Sequence, residues 1–207
     1  ETAREEETES KFPEIVKNIA IIYKQLGQND MALAAIETAR ASNPEDVGLI
    51  ITAANIYFEL DDKEAFKLAM SEAIDKEPNN PILYYNLGVV SGELGEKESA
   101  RTYYEKSIEL DPTNENSYLN LVALILDGEQ EIVNEMNSLG TSKSDNERYD
   151  ELKITREELY KECVPILKDL IAISKDIEAI RTLMNIYGTL GDNTGYMEMK
   201  NLLDQLQ

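Results

Sequence analysis

The sequence predicts an all-α protein, a right-handed α-α superhelix (solenoid) of about five stacked helical hairpins. Pro44, Pro78 and Pro112 follow one another at a constant spacing of 34 residues, and a fixed period of about 20 to 50 residues is typical of repeat architectures. Within each period, apolar residues recur at spacings of three and four and form one stripe per helix. Because stacked hairpins contact only their neighbours, the array is expected to form one domain.

The first three repeats are residues 13–46, 47–80 and 81–114 when each proline is placed at the thirty-second position. Each begins with an apolar helix, followed by a turn that contains glycine or aspartate, residues suited to turn and capping conformations. A second helix follows and is predicted to end before the proline, since proline cannot continue a helix.

The fourth repeat, residues 115–176, starts on schedule and then loses the period. Apolar spacing predicts that its first helix continues past Asp127, with Gly128 as a candidate break because glycine destabilises a helix interior by about 1 kcal/mol. A second long helix is predicted after residues 140–146, and Pro165 either kinks it or begins a shorter helix. The two arms are expected to pair as an elongated hairpin, with the insertion at about 128–160. The near-heptad stripe of the second arm is Tyr149, Leu152, Arg156, Leu159, Cys163, Ile166 or Leu167, and Leu170.

The two ends of the chain complete this organisation. Residues 1–12 read as an acidic N-terminal tail, and residues 177–207 as a fifth repeat that ends in a capping helix. A capping helix is expected to be polar on its outer side, since no further repeat covers that side.

The charge of the chain limits its partners. With 41 acidic and 20 basic residues, the formal net charge is −21, the opposite of the basic footprint that nucleic-acid binding requires. The same charge disfavours anionic membrane surfaces and favours basic partners. No apolar run reaches the roughly 18 residues that a membrane helix needs, so no membrane insertion is expected.

The sequence gives no basis for catalysis. It contains no histidine, so the commonest general base and the commonest zinc ligand are both missing. Cys163, the single cysteine, falls on an apolar stripe and reads as a core residue. We find no glycine-rich phosphate loop and no calcium loop, so no enzyme activity, cofactor or metal site is predicted.

The repeats resemble tetratricopeptide repeats. The third unit is the most similar: it has Tyr84-Tyr85-Asn86-Leu87-Gly88 in its first helix, Ala100 and Tyr104 in its second, and Asp111-Pro112 at its end. It departs from the family pattern at Ser91, and the second unit lacks Leu-Gly. The features that follow, including Tyr149-Asp150-Glu151-Leu152, are similar to a group of such proteins from Bacteroidetes-type bacteria. Many of these carry export signals, so the resemblance slightly favours the bacterial periplasm or cell envelope over the cytoplasm.

The resemblance also implies a concave binding surface, formed by set positions of each first helix. It implies a non-catalytic scaffold that binds a protein or peptide, basic or amphipathic, along this surface. The alternative is a self-assembling subunit, for instance a homodimer, that makes contact through the long hairpin or the terminal helix. The groove could also be filled by the chain itself. The expected peptide-binding residues are Lys17, Ile21, Ile51, Asn55, Phe58, Tyr85, Asn86, Val89, Leu119, Asn120, Ala123, Leu126, Arg181 and Asn185.

Overall fold

A computed structural model describes residues 13–206, so the predicted acidic tail at 1–12 and the last residue lie outside the described residues. Within this range the chain forms α-helices and no strand. The helices are α1 (Pro13–Gln25), α2 (Asn29–Ser42), α3 (Val47–Glu59), α4 (Lys63–Lys76), α5 (Pro81–Glu93), α6 (Lys97–Leu110), α7 (Glu115–Leu126), α8 (Glu129–Ser138), α9 (Lys143–Ser174), α10 (Ile177–Leu190) and α11 (Asn193–Leu206).

The period of the sequence reappears in the helix boundaries. Helices α1, α3, α5 and α7 begin at 34-residue steps, and so do α2, α4 and α6. The turn inside each hairpin needs one left-handed residue, which is Gly27 (φ 70°), then Asp61 (φ 58°), then Gly95 (φ 76°). Glycine adopts this conformation without strain, and aspartate is among the few other residues that tolerate it. The repeat therefore fixes the backbone of the turn even where the residue changes.

The chain divides into two compact units, which meet in sequence at Tyr103 and Tyr104. In the first unit, the core is made of apolar side chains from successive hairpins. One cluster joins α1, α2 and α3 through Ala20, Ala32, Ile36, Ala39, Leu49, Ala53 and Ile56. The next joins α3, α4 and α5 through Ile50, Ala54, Phe66, Ala69, Met70, Ala73, Leu83, Leu87 and Val90.

The second unit is built around the long helix α9, which contacts α7, α8 and α10. Its C-terminal half carries most of the buried side chains, among them Cys163, Leu167 and Leu170. Nearer its N-terminus only Leu152 is buried, and Tyr149 of the predicted stripe is 44% exposed. The N-terminal half of α9 therefore extends past the core and has α8 as its neighbour.

The first helix of the fourth repeat does not continue through Asp127 and Gly128, so the candidate break at Gly128 is a real one. Helix α7 ends at Leu126, Gly128 adopts a left-handed conformation with φ 93°, and α8 begins at Glu129. Ile125 before the break and Ile132 after it are seven residues apart, which equals about two helical turns. The apolar spacing therefore looks continuous although the helix is not. The first arm of the elongated hairpin is therefore two short helices.

The second arm, by contrast, is one helix of 32 residues that passes through Pro165 without ending. Pro165 is exposed, so its ring faces away from the core and water can hydrate the carbonyl that loses its backbone partner. Ser142 and Asp145 form a capping box at the start of this helix, which satisfies two backbone N–H groups.

Substitution of Gly128 tests the break between α7 and α8. We expect Gly128→Ala to lower the free energy of unfolding by about 1 kcal/mol, because alanine is strained at a left-handed φ. Urea denaturation measures this. The matched control is Gly188→Ala in the last turn of α10, where an added Cβ would lie 3.5 Å from the Tyr196 ring and stability should rise by up to about 1 kcal/mol. A stabilising Gly128→Ala would instead support a continuous helix.

Candidate functional site

Five of the residues predicted to bind a peptide line one cavity in the first unit. The cavity measures about 240 Å³ and lies between α3, α4 and α5. We call it the Phe58 pocket, and its lining residues are Asn55, Phe58, Phe66, Tyr85, Asn86, Val89 and Val90.

Three aromatic rings, those of Phe58, Phe66 and Tyr85, and two valines form the apolar part of the Phe58 pocket. Phe66 and Val90 are buried, with 4% and 1% of their surfaces exposed, whereas Phe58 is 43% exposed. The rings of Phe58 and Phe66 are 5.7 Å apart between centroids and tilted by 56°, a favourable geometry for an aromatic pair. Phe66 therefore holds the exposed ring of Phe58 at the mouth of the pocket.

Asn55 and Asn86 supply the polar part. Asn55 is exposed and Asn86 half-buried, and each amide offers a carbonyl acceptor and two N–H donors. Neither side chain hydrogen-bonds another of the described residues 13–206, so both amides remain available to a peptide backbone.

Hydrogen bonds and ion pairs hold the helices that carry this pocket. Asp46 accepts a hydrogen bond from the backbone N–H of Leu49 at 3.2 Å and so caps α3. Asn80 caps α5 by accepting from Ile82 at 3.1 Å, and Pro81 suits the first turn that follows. Lys63 of α4 pairs with Glu93 of α5 at 3.2 Å. These contacts position the α3 and α5 side chains before any ligand arrives.

The other predicted residues of the first unit lie outside the pocket. Lys17 pairs with Asp46 at 3.1 Å, so its ammonium group is already neutralised within the protein. Ile51 is half-buried against the core, whereas Ile21 is 42% exposed.

The remaining predicted residues belong to the second unit. Leu119 is 37% exposed on α7, and Ala123, one turn further on, is exposed as well, whereas Asn120 and Leu126 are half-buried. On α10, Arg181 and Asn185 are exposed, and the Arg181 guanidinium lies 3.7 Å from Glu178.

Sequence reasoning missed a second cavity, of about 200 Å³, in the second unit. We call it the hairpin pocket, and it is lined by Met136, Tyr149, Lys153, Arg156, Glu157, Tyr160 and Thr189. The sequence signal that could have indicated this pocket is Arg156. It is a charged residue on an apolar stripe, and a buried charge requires a partner.

One carboxylate organises the wall of the hairpin pocket. Glu129 of α8 accepts hydrogen bonds from the Arg156 guanidinium, at 2.8 Å, and from the Tyr160 hydroxyl. The Arg156 guanidinium also lies 5.1 Å from the centre of the Tyr160 ring, within the range of a cation–π interaction. Burial and the nearby Glu129 raise the pKa of Tyr160. The phenol therefore stays protonated and keeps donating to Glu129 at neutral pH.

Chemistry is not expected at either cavity. Among residues 13–206, no group of three or more acidic or cysteine side chains is arranged to hold a metal ion. Cys163 is fully buried, and burial, with smaller effects of Glu162 and Glu129, raises the pKa of its thiol to about 12. The core position predicted for this cysteine is confirmed. No helix among the described residues is long and apolar enough to cross a membrane.

Comparisons with known proteins identify the fold. The crystal structure of MamA is similar over 91% of this chain and 88% of that one, with 15% identity and a TM-score of 0.62. For YrrB the shares are 100% and 91%, with 16% identity and a TM-score of 0.62. For MamA from Desulfovibrio magneticus RS-1 they are 93% and 95%, with 14% identity and a TM-score of 0.60. None of the curated proteins matches this sequence.

These similarities confirm the predicted fold class, an all-α superhelix of helical hairpins. The family model for the tetratricopeptide repeat matches residues 18–46 and 82–114, within the first and third predicted repeats. Residues 18–46 and 82–114 are therefore tetratricopeptide repeats, and the rest of the chain shares the fold of the similar structures. This class of repeat is a non-catalytic protein-interaction scaffold.

Thiol labelling tests the burial of Cys163. Because the thiolate is the reactive form and the raised pKa leaves almost none at pH 8, we expect no reaction with a thiol reagent in the folded protein. Complete reaction in about 6 M urea is the control, since unfolding at that concentration exposes the residue. Rapid labelling without denaturant would contradict the buried position.

Proposed function

We propose that this chain binds an amphipathic peptide or protein segment, and that the Phe58 pocket receives an apolar side chain of that segment. The observation that carries the proposal is the pocket itself, which a half-exposed phenylalanine and two asparagine amides line together. Exposed aromatic residues in a pocket are the usual anchors of interfaces.

The size of the pocket favours a side chain over a whole small molecule. At about 240 Å³ it is smaller than the roughly 300–1,000 Å³ of most small-molecule sites. Asn55 and Asn86 could pair with the backbone of the same segment, since an amide both donates and accepts hydrogen bonds. An apolar anchor flanked by backbone contacts is one of the ways in which proteins bind peptides.

The comparisons support the proposal only through the fold. YrrB is described as a TPR protein with an unusual peptide-binding site, so a protein of similar fold binds peptides. The residues that would do so here are those of the Phe58 pocket, and they are named from the present structure.

Self-assembly through the long hairpin or the terminal helix has less support. On α11 the exposed apolar residues are Met197 and Leu206. Nine residues at about 100° each place them on opposite sides of the helix. In the overhanging N-terminal half of α9, Tyr149 and Ile154 are similarly exposed but lie about 140° apart. Neither helix therefore presents an apolar stripe to a second copy.

Substitution in the Phe58 pocket tests the proposal. Peptides are selected on the wild-type protein from a displayed library of random helical sequences, and their affinities are then measured by fluorescence anisotropy. We expect Phe58→Ala with Tyr85→Ala to weaken binding at least about 100-fold, because two central anchors typically contribute at least 2 kcal/mol each. A far-UV circular dichroism spectrum shows whether the double variant is folded.

The matched control is Leu68→Ala, which removes an apolar side chain that is 73% exposed on α4 and outside the pocket. It should leave the affinity within about twofold, since isolated surface residues contribute little. Equal affinity of the double variant and the wild type would place binding elsewhere.

The charge of the chain predicts a dependence on salt. Because the net charge is −21, we expect the selected peptides to be rich in lysine and arginine and to bind more weakly as salt rises. Raising the salt from about 50 to about 500 mM should lower the affinity several-fold, mainly by slowing association. The same peptides with glutamine in place of each basic residue are the control and should show a flatter salt dependence. Selection of acidic peptides would contradict the prediction.

A further inference from the structure

Helix α1 and Leu26, the residue that follows it and still donates its backbone N–H to Ile22, carry an exposed apolar stripe that the core does not use. Its members, which we call the α1 seam, are Ile15, Ile19, Ile22 and Leu26, with 46%, 40%, 54% and 65% of their surfaces exposed. At about 100° per residue they fall within an arc of roughly 60° on the helix. Val16, Ala20 and Tyr23 lie on another side of α1 and pack against α2 and α3. The seam is therefore a separate face of the helix, and a partner of some kind is expected to cover such a face.

The spacing of the seam is that of a coiled coil and is symmetric. Its steps are four, three and four residues, which matches alternating d and a positions of a heptad. The same steps are read in either direction along the helix. An antiparallel copy therefore brings Ile15 opposite Leu26 and Ile19 opposite Ile22, with a twofold axis midway between Ala20 and Ile21. Such self-complementarity is what a symmetric dimer contact requires.

Between residues 15 and 26, the flanks of the seam carry no charged residue. Val16, Asn18, Tyr23 and Gln25 occupy the adjoining positions, where coiled coils usually carry charged residues that set the partner. In a chain of net charge −21, two acidic flanks would repel each other in a dimer. The uncharged flanks avoid repulsion within the contact itself, although the net charge of two copies still opposes association over longer distances, and they give a charged partner nothing to pair with.

The lysines of α1 point away from the seam and already have partners. Lys24 pairs with Glu59 at 2.7 Å, and Lys17 pairs with Asp46 at 3.1 Å. Asp46 and Glu59 lie at the two ends of α3. Neither lysine therefore has to be desolvated when a second helix covers the seam. Ile21, on the predicted groove side of α1, lies about 130° from the middle of the seam. A helix on the seam would therefore leave the groove side open.

The acidic segment at residues 1–12 is a poor occupant on its composition. Its apolar residues are Ala3 and Phe12, and five of the twelve are glutamates. Covering the four large aliphatic side chains of the seam requires a partner with a comparable apolar surface, because the free energy gained on contact is proportional to the apolar area removed from water.

We infer that a second copy of this chain covers the α1 seam, and that two α1 helices pair antiparallel in a homodimer. The seam is short, so the contact belongs with small, weak interfaces and dissociates on dilution. It is independent of ligand binding in the Phe58 pocket.

Sedimentation equilibrium tests the dimer. From about 1 to about 500 μM, a range that brackets micromolar dissociation constants, the average mass of the wild type should rise from that of the monomer toward twice that value. Ile19→Glu with Ile22→Glu should remain monomeric at every concentration, with an unchanged circular dichroism spectrum, because neither side chain is part of the core and they are 40% and 54% exposed. The control is Leu68→Glu, which adds a charge at a more exposed leucine of α4, 73% exposed, and should dimerise like the wild type.

Each other outcome overturns the inference. A wild type that stays monomeric at the highest concentration excludes the second copy and leaves another partner as the occupant. A dimer that survives the double substitution, or one that Leu68→Glu abolishes equally, uses a different surface.

Disulfide trapping tests the antiparallel arrangement. Ile15→Cys and Leu26→Cys variants are oxidised separately and as a mixture, and Cys163 does not interfere because it is buried. We expect the mixture to form a cross-linked dimer at least about ten times faster than either variant alone, since a disulfide needs Cα atoms within about 7 Å. Rapid cross-linking of each variant with itself indicates parallel helices, and failure of all three indicates that the seam is not the contact. Either result overturns the arrangement.

Discussion

The fold of the first unit depends on small side chains buried where helices of neighbouring hairpin arms meet. Ala20 and Ala54 occupy equivalent positions of α1 and α3, and both are completely buried. Ala32 and Ala100 do the same at the start of the second helices α2 and α6. A larger side chain at a closely packed position forces the surrounding elements apart or into strain. The 34-residue period thus reflects the need for a small residue at equivalent positions of successive hairpins.

The Phe58 pocket arises where the first unit departs from this requirement. Phe66 stands in α4 at the position that Ala32 and Ala100 occupy in the neighbouring repeats. Its ring is buried and reaches Phe58 of the preceding helix, with the centroids 5.7 Å apart. At a core position where the neighbouring repeats have alanine, the larger Phe66 side chain therefore reaches the lining of a cavity. The site proposed for ligand binding is therefore part of the packing, which explains why Phe58 is held in place although it is half exposed.

The repeats were predictable from the sequence because a spacing determines a helix register. The starts of α1, α3 and α5 follow from the prolines, and Asn55, Phe58 and Asn86 follow from positions shared within the family. Phe66 lies on the apolar stripe of its helix, and a pattern of apolar residues does not distinguish a side chain that ends in the core from one that lines a cavity. Gly128 was left open because the apolar spacing continues across it, and spacing carries no information about the sign of φ. Pro165 was ambiguous for a similar reason: whether proline ends a helix depends on which side its ring faces.

The insertion after Leu126 is stabilised differently from the repeats, and this follows from where its side chains lie. Helix α8 has no buried residue, and it is held to α9 by ion pairs such as Arg148 with Glu135, at 2.7 Å. Exposed pairs of this kind contribute about 1 kcal/mol or less each, whereas a fully buried leucine contributes about 2 kcal/mol or more. The better-protected pair, Arg156 with Glu129, lies next to the core half of α9, and Arg148 with Glu135 lies further out. Local stability therefore falls along α9 from Cys163 toward its N-cap, Ser142. The hairpin pocket lies between these two points. A cavity there can change shape at small energetic cost, while the Phe58 pocket, built on a buried phenylalanine, cannot.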